Sequence, residues 1–499
     1  MCLVRAPSPV EARGRLVRAL QTWTKAGESL LESGRLAAVR GDVLLPDCGL
    51  ADATCASLRE RIQSLVHAAG DTRFTANSAG DPDRTNVAGT RNVLECAARL
   101  GCRDWHHIST AYAAGAVREA REELSTTAPT FRNAYERSKW EAEQLAVAQA
   151  RENGAALTIY RPSVVVGHSA TGMTSHFAGI YYMFRAVSLL ARAASDRPAV
   201  DRHALPLRIP AAPDKRPNLI CIDDVAAAIA DLFDAPAARG GVYHLTHPEP
   251  PTNARVKHAL ESYYDVGGGR FTEGINDTEQ RLPSDFAAAE LFQRMFDELT
   301  TSLRDYLFDA PDFSRARVDR FVRRPPADWT DERLRKLIVA AEQGGWRSSG
   351  YERQAAAAPE AIGVYFREFL PARLHDSKIG RVERLDATVR FEIGAYAHGR
   401  WWCRFGGGGA VEVAAADDQP ADVIYRTSES RFWAAVAGEI SAAELFLTGA
   451  AEVDGDVEKA LKFAMLLEEF VREHPYQRIA TNTTSSDCIA DPCGERRGD

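Results

Sequence analysis

The sequence predicts an α/β chain: a doubly wound parallel sheet, then a helical region, then a smaller α+β unit. Three observations carry this. Over residues 1–250, short apolar runs alternate with helical patterns across brief turns, which is the signature of parallel βαβ units. Residues 254–350 show mainly helical periodicity. From residue 359 the pattern changes, and Val389, Phe391 and Ile393 alternate with Arg390 and Glu392, as in a half-buried strand. The expected units are residues 1–253, 254–350 and 351–475, with a polar, unpatterned tail at 476–499.

Taken in order, Cys2-Leu3-Val4 reads as a strand, and Val10–Leu30 as a helix with Leu16 and Leu20 on one face. Leu36–Val39 is a second strand that runs into Gly41-Asp42-Val43. Ser64-Leu65-Val66 is a third, ending in His67-Ala68-Ala69-Gly70. Asn86 opens a helix, NVAGTRNVLECAARLG, where Asn is a common cap. Ligands in such sheets bind at the carboxyl ends of strands, where Arg5, Asp42 and the His67–Gly70 turn stand. A dinucleotide site normally begins with a strand and a glycine-rich turn, whose N–H groups hold the pyrophosphate. Nothing of that kind precedes Cys2, Gly14 and Gly27 are isolated, and Gly406–Gly409 reads as a hairpin loop. The expected sheet therefore lacks its first βα unit, most simply because the sequence starts late. Arg5, at a strand end, suits the 2′-phosphate of NADP, where an acidic residue would suit a free ribose hydroxyl; Arg15 adds a second contact.

Composition excludes several classes. The net charge of −8 argues against nucleic acid and anionic membrane as partners. Nine Cys without a CxxC pair indicate neither a disulfide framework nor a zinc knuckle, and fit reduced thiols in a cytoplasm. No apolar run reaches transmembrane length. Asp454 and Asp456 are too few carboxylates for calcium, so no metal is expected.

The chemistry concentrates in residues 104–172. Trp105–Ile108 is a strand with Ser109-Thr110 at its carboxyl end, and Tyr135 and Lys139 follow on a helix capped near Asn133. The i, i+4 spacing puts phenol and ammonium on one face, one turn apart. A phenol of pKa about 10 is sluggish at neutral pH, and a neighbouring ammonium favours its phenolate. Tyr135 can then give a proton to a carbonyl oxygen as hydride arrives, with Thr110 holding that oxygen. With 14 Tyr and 8 Lys in 499 residues, a bare YxxxK is a weak signal. The Ser-Thr 25 residues upstream and the strand ending Tyr160-Arg161-Pro162-Ser163 downstream strengthen it. His106 and His107 read as buried structural residues, and no GxSxG elbow supports a hydrolase.

CLVRA, GD at 41–42, HAAG at 67–70, NVAGTRNVL, HISTAYAAG, FRNAYERSKWEAEQL and YRPSVVVGHSATG resemble the extended short-chain dehydrogenase/reductases, over residues 1–250. The nearest resemblance is to the thioester-reductase and fatty acyl-CoA reductase branch. It implies a Rossmann-like fold and NADPH as hydride donor. It implies a triad of Thr110, Tyr135 and Lys139, with Lys139 also on the nicotinamide ribose. It places Arg5 and Arg15 on the 2′-phosphate, Asp42-Val43 at the adenine, Ala68, Ala69 and Gly70 along the cofactor, Asn86 at a kink beside Lys139, and Pro162 and Ser163 by the nicotinamide.

Beyond the reductase region, Asn218–Val225 reads as a strand entering a helix and Gly241–Thr246 as a last strand. Phe292, Met295, Phe296, Leu299, Leu303, Tyr306 and Leu307 form one apolar stripe, read as core or as a cap over the substrate cleft. Thr330 caps a helix that turns Leu334, Leu337 and Ile338 inward, and Gly345–Ala358 reads as a linker. After residue 386 a meander of strands precedes helices at Ser428–Val436, Ser441–Leu447 and Asp456–Val471. TVRFEIGAYAHGRWW and FLTGAAEVDGD resemble the sterol carrier protein 2 domain, which implies a fatty acyl or sterol ligand near Phe432, Trp433, Leu445, Phe446 and Met465. The combined expectation is an NADPH-dependent reductase of an acyl thioester (CoA- or carrier-bound) or lipid carbonyl, fused to a lipid carrier. The alternatives are a hydroxysteroid or nucleotide-sugar dehydrogenase or epimerase of the same superfamily, and a non-catalytic lipid-binding protein on a degenerate reductase scaffold.

Overall fold

In the computed structural model the described residues are 1–21, 23–24, 26–77, 79–195, 201–205, 207–272, 293, 296–297, 300, 303–308, 310–346, 360–374, 386–394, 400–405, 411–415, 420–440, 445 and 451–476. The expected loop at Gly406–Gly409, the capping box Ser441/Glu444, the tail after residue 476 and most of the 345–358 linker lie outside them.

Four parallel strands form the central sheet. Numbered along the chain, the first strands are β1 (Cys2–Val4), β2 (Ala38–Arg40), β3 (Ser64–His67), β4 (Asp104–Ile108), β5 (Glu119–Ala120), β6 (Ala156–Pro162), β7 (Val164–Val166), β8 (Arg208–Pro210), β9 (Leu219–Cys221), β10 (Val242–Leu245), β11 (Arg270–Thr272) and β12 (Asp312–Phe313). The sheet order is β10-β6-β4-β3, all parallel, while β1 and β2 pair in parallel with each other in a separate two-stranded sheet.

Period-two alternation drives the layering. Trp105 of β4 packs with Leu94, Ala97, Ala146 and Ala150, from helices Gly89–Arg99 and Ala134–Asn153, on one face. Ile108 packs with Tyr160, Val225 and Leu232, including helix Ile222–Phe233, on the other. Helices on both faces bury both sides of β4, so its polar residues His106 and His107 are buried along with Trp105. His106 and His107 are buried, as the sequence suggests, and His106 Nδ1 lies 2.8 Å from Tyr160 Oη.

Several elements differ from expectation. The helix expected over 10–30 is two, Pro9–Gln21 and Gly27–Glu32. A Cβ on Gly27 would stand 2.8 Å from Leu20 Cβ, so glycine permits the second helix to fold back closely on the first. Asn86 does not cap its helix; it lies inside a π turn, Arg84–Ala88, that leads into Gly89–Arg99. Residues 303–346 are not detached from the reductase core. Leu303, Leu307, Trp329, Leu334, Leu337 and Ile338 share one core with Val166, Phe184 and Leu219. Thr330 Oγ1 caps helix Asp331–Gln343 by accepting from Arg333 N at 3.1 Å.

The C-terminal sheet contains β13 (Ala387–Ile393), β14 (Arg400–Phe405), β15 (Val411–Ala415), β16 (Val423–Thr427) and β17 (Ala451–Gly455), in the order β15-β14-β13-β16-β17. It is not the expected meander: β16 crosses back and pairs parallel to β13, with Val389 opposite Val423. Both central strands thereby gain a neighbour on each side, and Val389, Phe391 and Ile393 are buried against helix Val457–Glu473 and its neighbours.

Candidate active site

β4 ends at Ile108, and Ser109 N donates to Tyr160 O at 2.7 Å, which fixes the strand end. Thr110 then turns the chain. Its Oγ1 accepts from Tyr112 N at 3.3 Å, capping the short helix Ala111–Ala114, and donates to Pro162 O at 3.4 Å. Asn133 Oδ1 caps helix Ala134–Asn153 by accepting from Glu136 N at 3.0 Å, so Tyr135 stands in the first turn. Lys139, one turn later, reaches under the strand end and donates from Nζ to Ile108 O at 2.8 Å.

Asn86 joins the strand ends to that helix. Its Nδ2 donates to Ser138 Oγ and Asp71 O at 2.8 Å each, and its Oδ1 accepts from Asp71 N at 2.7 Å. A Cβ on Gly70 would press at 3.2 Å on both Asn86 Oδ1 and Lys139 Nζ, so the backbone approaches the ammonium closely there because residue 70 is glycine.

Burial sets the titration. The Tyr135 phenol is pushed up to about 12, chiefly because it is buried; the Thr110 hydrogen bond pulls the other way, and the Glu136 and Asp71 charges add to the rise. Lys139 is drawn down to about 8, again chiefly by burial, with the Glu143 carboxylate opposing. The spacing of Tyr135 and Lys139 suggests that the ammonium lowers the phenol. Burial instead raises the phenol, which holds its proton.

A cavity of about 1170 Å³ opens over these groups, and Ala68, Gly70, Thr110, Tyr135, Lys139, Pro162 and Ser163 all line it. Ser163 Oγ is engaged with Asn218 Oδ1 at 2.7 Å. Ser109 Oγ is buried there without a partner. Asn86 and Ala69 are not among the lining residues. Nor are Arg5, Arg15, Asp42 and Val43, which follow β1 and β2. Arg15 pairs with Glu11 at 2.9 Å and donates to Arg5 O at 2.7 Å; Asp42 Oδ1 accepts from Leu44 N at 2.9 Å, and Val43 O accepts from Asn92 Nδ2 at 2.8 Å.

Of the aromatic wall of the cavity, Phe74, Tyr112 and Tyr306, sequence reasoning missed the first two and offered Tyr306 only within a stripe read as core or as a cap over the cleft. Tyr112 sits inside the motif HISTAYAAG, and Tyr306 belongs to the apolar stripe, but nothing local to either reveals that they meet.

The fit to a nicotinamide nucleotide rests on these side chains. Lys139 has ammonium protons beyond the one given to Ile108, Ser109 offers an unpartnered buried hydroxyl, and Gly70 allows close approach.

Residues 1–204 match the family model NAD_binding_4, described as Male sterility protein, and residues 366–468 match the SCP-2 sterol transfer family. By these matches the chain is similar to a male-sterility-type reductase domain followed by an SCP-2 domain. The reductase region is 31% identical over 189 residues to the isonitrile lipopeptide synthase of Streptomyces coeruleorubidus, covering 37% of this chain and 13% of that protein. It is 24% identical over 295 residues to aldehyde reductase lnbA of Aspergillus flavus, covering 56% of this chain and 26% of that protein. The chain thus spans less than a third of either relative's length. In fold it is similar to the terminal R domain from the myxalamid PKS-NRPS biosynthetic pathway, at 23% identity and a TM-score of 0.53, covering 70% of this chain and 85% of that one. The family model over residues 1–204 is by its name one for nicotinamide-nucleotide-binding domains.

Of the residues expected near a ligand in the C-terminal unit, Phe432 and Leu445 line a cavity of about 70 Å³ among Phe366, Phe391 and Phe463. Trp433 packs against the same core, while Phe446 and the side chain of Met465 lie outside the described residues. Among the described residues no helix is long and apolar enough to cross a membrane.

Proposed function

We propose that the protein is a cytoplasmic NADPH-dependent reductase of an acyl thioester or lipid carbonyl, with residues 1–253 and 254–350 forming the reductase and 351–475 an acyl- or sterol-binding domain. The observation that carries this reading is the convergence of Thr110, Tyr135 and Lys139 on one large, mainly apolar cavity. NADPH, when bound, supplies hydride to the carbonyl carbon. Lys139 and Ser109 hold ribose hydroxyls, Gly70 and Ala68 follow the dinucleotide, and Arg5 and Arg15 take the 2′-phosphate. Asn86 braces the Asp71 loop against the helix that carries Lys139.

Thr110 Oγ1 donates to the substrate's carbonyl oxygen and orients it, and Tyr135 Oη delivers its proton there. For a thioester, the resulting hemithioacetal collapses to aldehyde and free thiol. Burial keeps the Tyr135 phenol in the protonated form that the acid role needs, at the cost of making it a weaker acid, so its placement beside Thr110 carries the role. The apolar cavity wall suits an acyl chain better than a sugar. In the carrier domain a cavity of about 70 Å³ equals roughly two water volumes. An acyl or sterol ligand therefore enters by parting Phe366, Phe432 and Phe463.

The test is direct: the protein is mixed with NADPH and a long-chain acyl-CoA. Expected is NADPH oxidation matched by free thiol release, with NADH much slower. Oxidation of neither cofactor with acyl-CoA and with a ketone-bearing lipid would sink the reading.

The pH profile gives a second expected result. Lys139 is charged below about 8 and loses its charge above it. kcat/KM for reduction should therefore fall as pH rises through about 8, while Lys139→Arg moves that limb upward by keeping the cation. A flat profile from about pH 7 to about pH 9.5 would remove Lys139 from its role.

A further inference from the structure

Tyr306 lies on the short helix Arg304–Phe308, 170 residues along the chain from Glu136, the neighbour of Tyr135. Its hydroxyl makes two bonds of 2.7 Å: it donates to Glu136 Oε1 and accepts from Asn133 Nδ2. Asn133 and Glu136 flank Tyr135, and they are already joined by the helix cap between Asn133 Oδ1 and Glu136 N. Glu136 Oε2 also accepts from Arg132 N at 2.9 Å, and Glu136 is fully buried. A distant segment thus closes a ring of bonds around the turn that presents the phenol.

The same side chain touches the other half of the site. The Tyr306 ring meets the Tyr112 ring edge-on, with centroids 4.8 Å apart, and Tyr112 N donates to Thr110 Oγ1. The Tyr112 hydroxyl is buried without a partner, so this contact passes through the rings. The Tyr306 ring also lies tilted against Phe74, with centroids 5.6 Å apart, and Phe74 in turn lies 6.2 Å from the Tyr135 ring. One residue therefore holds the Tyr135 turn by its hydroxyl and the Thr110 turn by its ring.

We propose that Tyr306 is a positioning residue: it sets the spacing of Tyr135 from Thr110, and it makes proton delivery depend on the docking of residues 303–308 over the cavity. The inference rests on the reading of Tyr135 as proton donor. Leu303 and Leu307 line the same cavity, so a substrate that fits beneath this segment leaves the alignment intact, whereas one that lifts it disturbs the acid. Selection among acyl groups then acts on kcat more than on KM.

Tyr306→Phe separates this role from simple packing, because it keeps the ring and deletes the hydroxyl. Variant and parent are compared with NADPH and one long-chain acyl-CoA, at a temperature where circular dichroism shows both folded. Expected is a loss in kcat of about tenfold or more, with NADPH affinity within about twofold and a larger solvent isotope effect, because a misplaced acid slows the proton step. A kcat within about twofold of the parent overturns the proposal. If Tyr306→Phe does not fold, Asn133→Ser decides. Serine keeps the helix cap but removes the donor to Tyr306, and it should lower kcat severalfold; an unchanged kcat overturns the proposal. Tyr135→Phe is run alongside. If Tyr135→Phe is fully active, the underlying reading has failed. If Tyr135→Phe is inactive while Tyr306→Phe is fully active, only the positioning role has.

Discussion

Tyr135→Phe is expected to lower kcat by roughly 10² to 10⁴-fold while NADPH still binds. Phenylalanine fills the same volume, and the ring contact with Phe74 at 6.2 Å survives, so the folded state changes little. What disappears is the proton. Water in the cavity does not readily replace it, because it is a weaker acid and is not held against the substrate oxygen. The phenol is pushed up to about 12, so it stays protonated at ordinary pH, and the falling alkaline limb belongs to Lys139, drawn down to about 8. The variant's residual activity should keep that limb, since Lys139 is untouched. Cofactor titration by fluorescence, steady-state rates and a thermal melt together check this. A variant retaining more than about a tenth of parental kcat would remove Tyr135 from proton transfer.

The parts of this site that lay in the sequence were those encoded by local spacing. Tyr135 and Lys139 share a face because four residues make one helical turn, and Thr110 stands at a strand end because β4 stops at Ile108. The Asn133 cap was legible for the same reason. The clamp by Tyr306 was not, because two residues 170 positions apart leave no periodic trace. The stripe around Leu303 and Tyr306 showed that this segment is buried, but not against what. The crossing of β16 back to β13 escaped notice likewise, since alternation fixes the faces of a strand and not its neighbour. The direction of the Tyr135 shift was misjudged for a physical reason. Spacing reveals a nearby charge but not how much water the fold excludes, and here exclusion wins.

Glu143→Ala is expected to be the most damaging single change to stability near the site. Glu143 lies one turn beyond Lys139, and it pairs with Arg161 of β6 through two bonds, Nε to Oε1 at 2.9 Å and Nη2 to Oε2 at 2.6 Å. Glu143 is 0% exposed and Arg161 2%, so solvent screens neither. Arg161 Nη1 also donates to Glu123 O at 3.0 Å, which holds the guanidinium where it is. Removing the carboxylate leaves a buried, unpaired cation, a loss of about 3–5 kcal/mol. For a domain of this size that corresponds to a fall in Tm of roughly 10 °C. The same carboxylate raises the Lys139 pKa, so its loss moves the alkaline limb of kcat/KM below about 8. Glu143→Ala/Arg161→Met separates the two effects. Deleting both charges should restore most of the stability, because the unpaired cation is gone, yet the limb should stay displaced. A single variant as stable as the parent would show that the pair does not tie the helix bearing Tyr135 and Lys139 to β6. A double variant whose limb returned to its parental position would show that Glu143 does not tune Lys139.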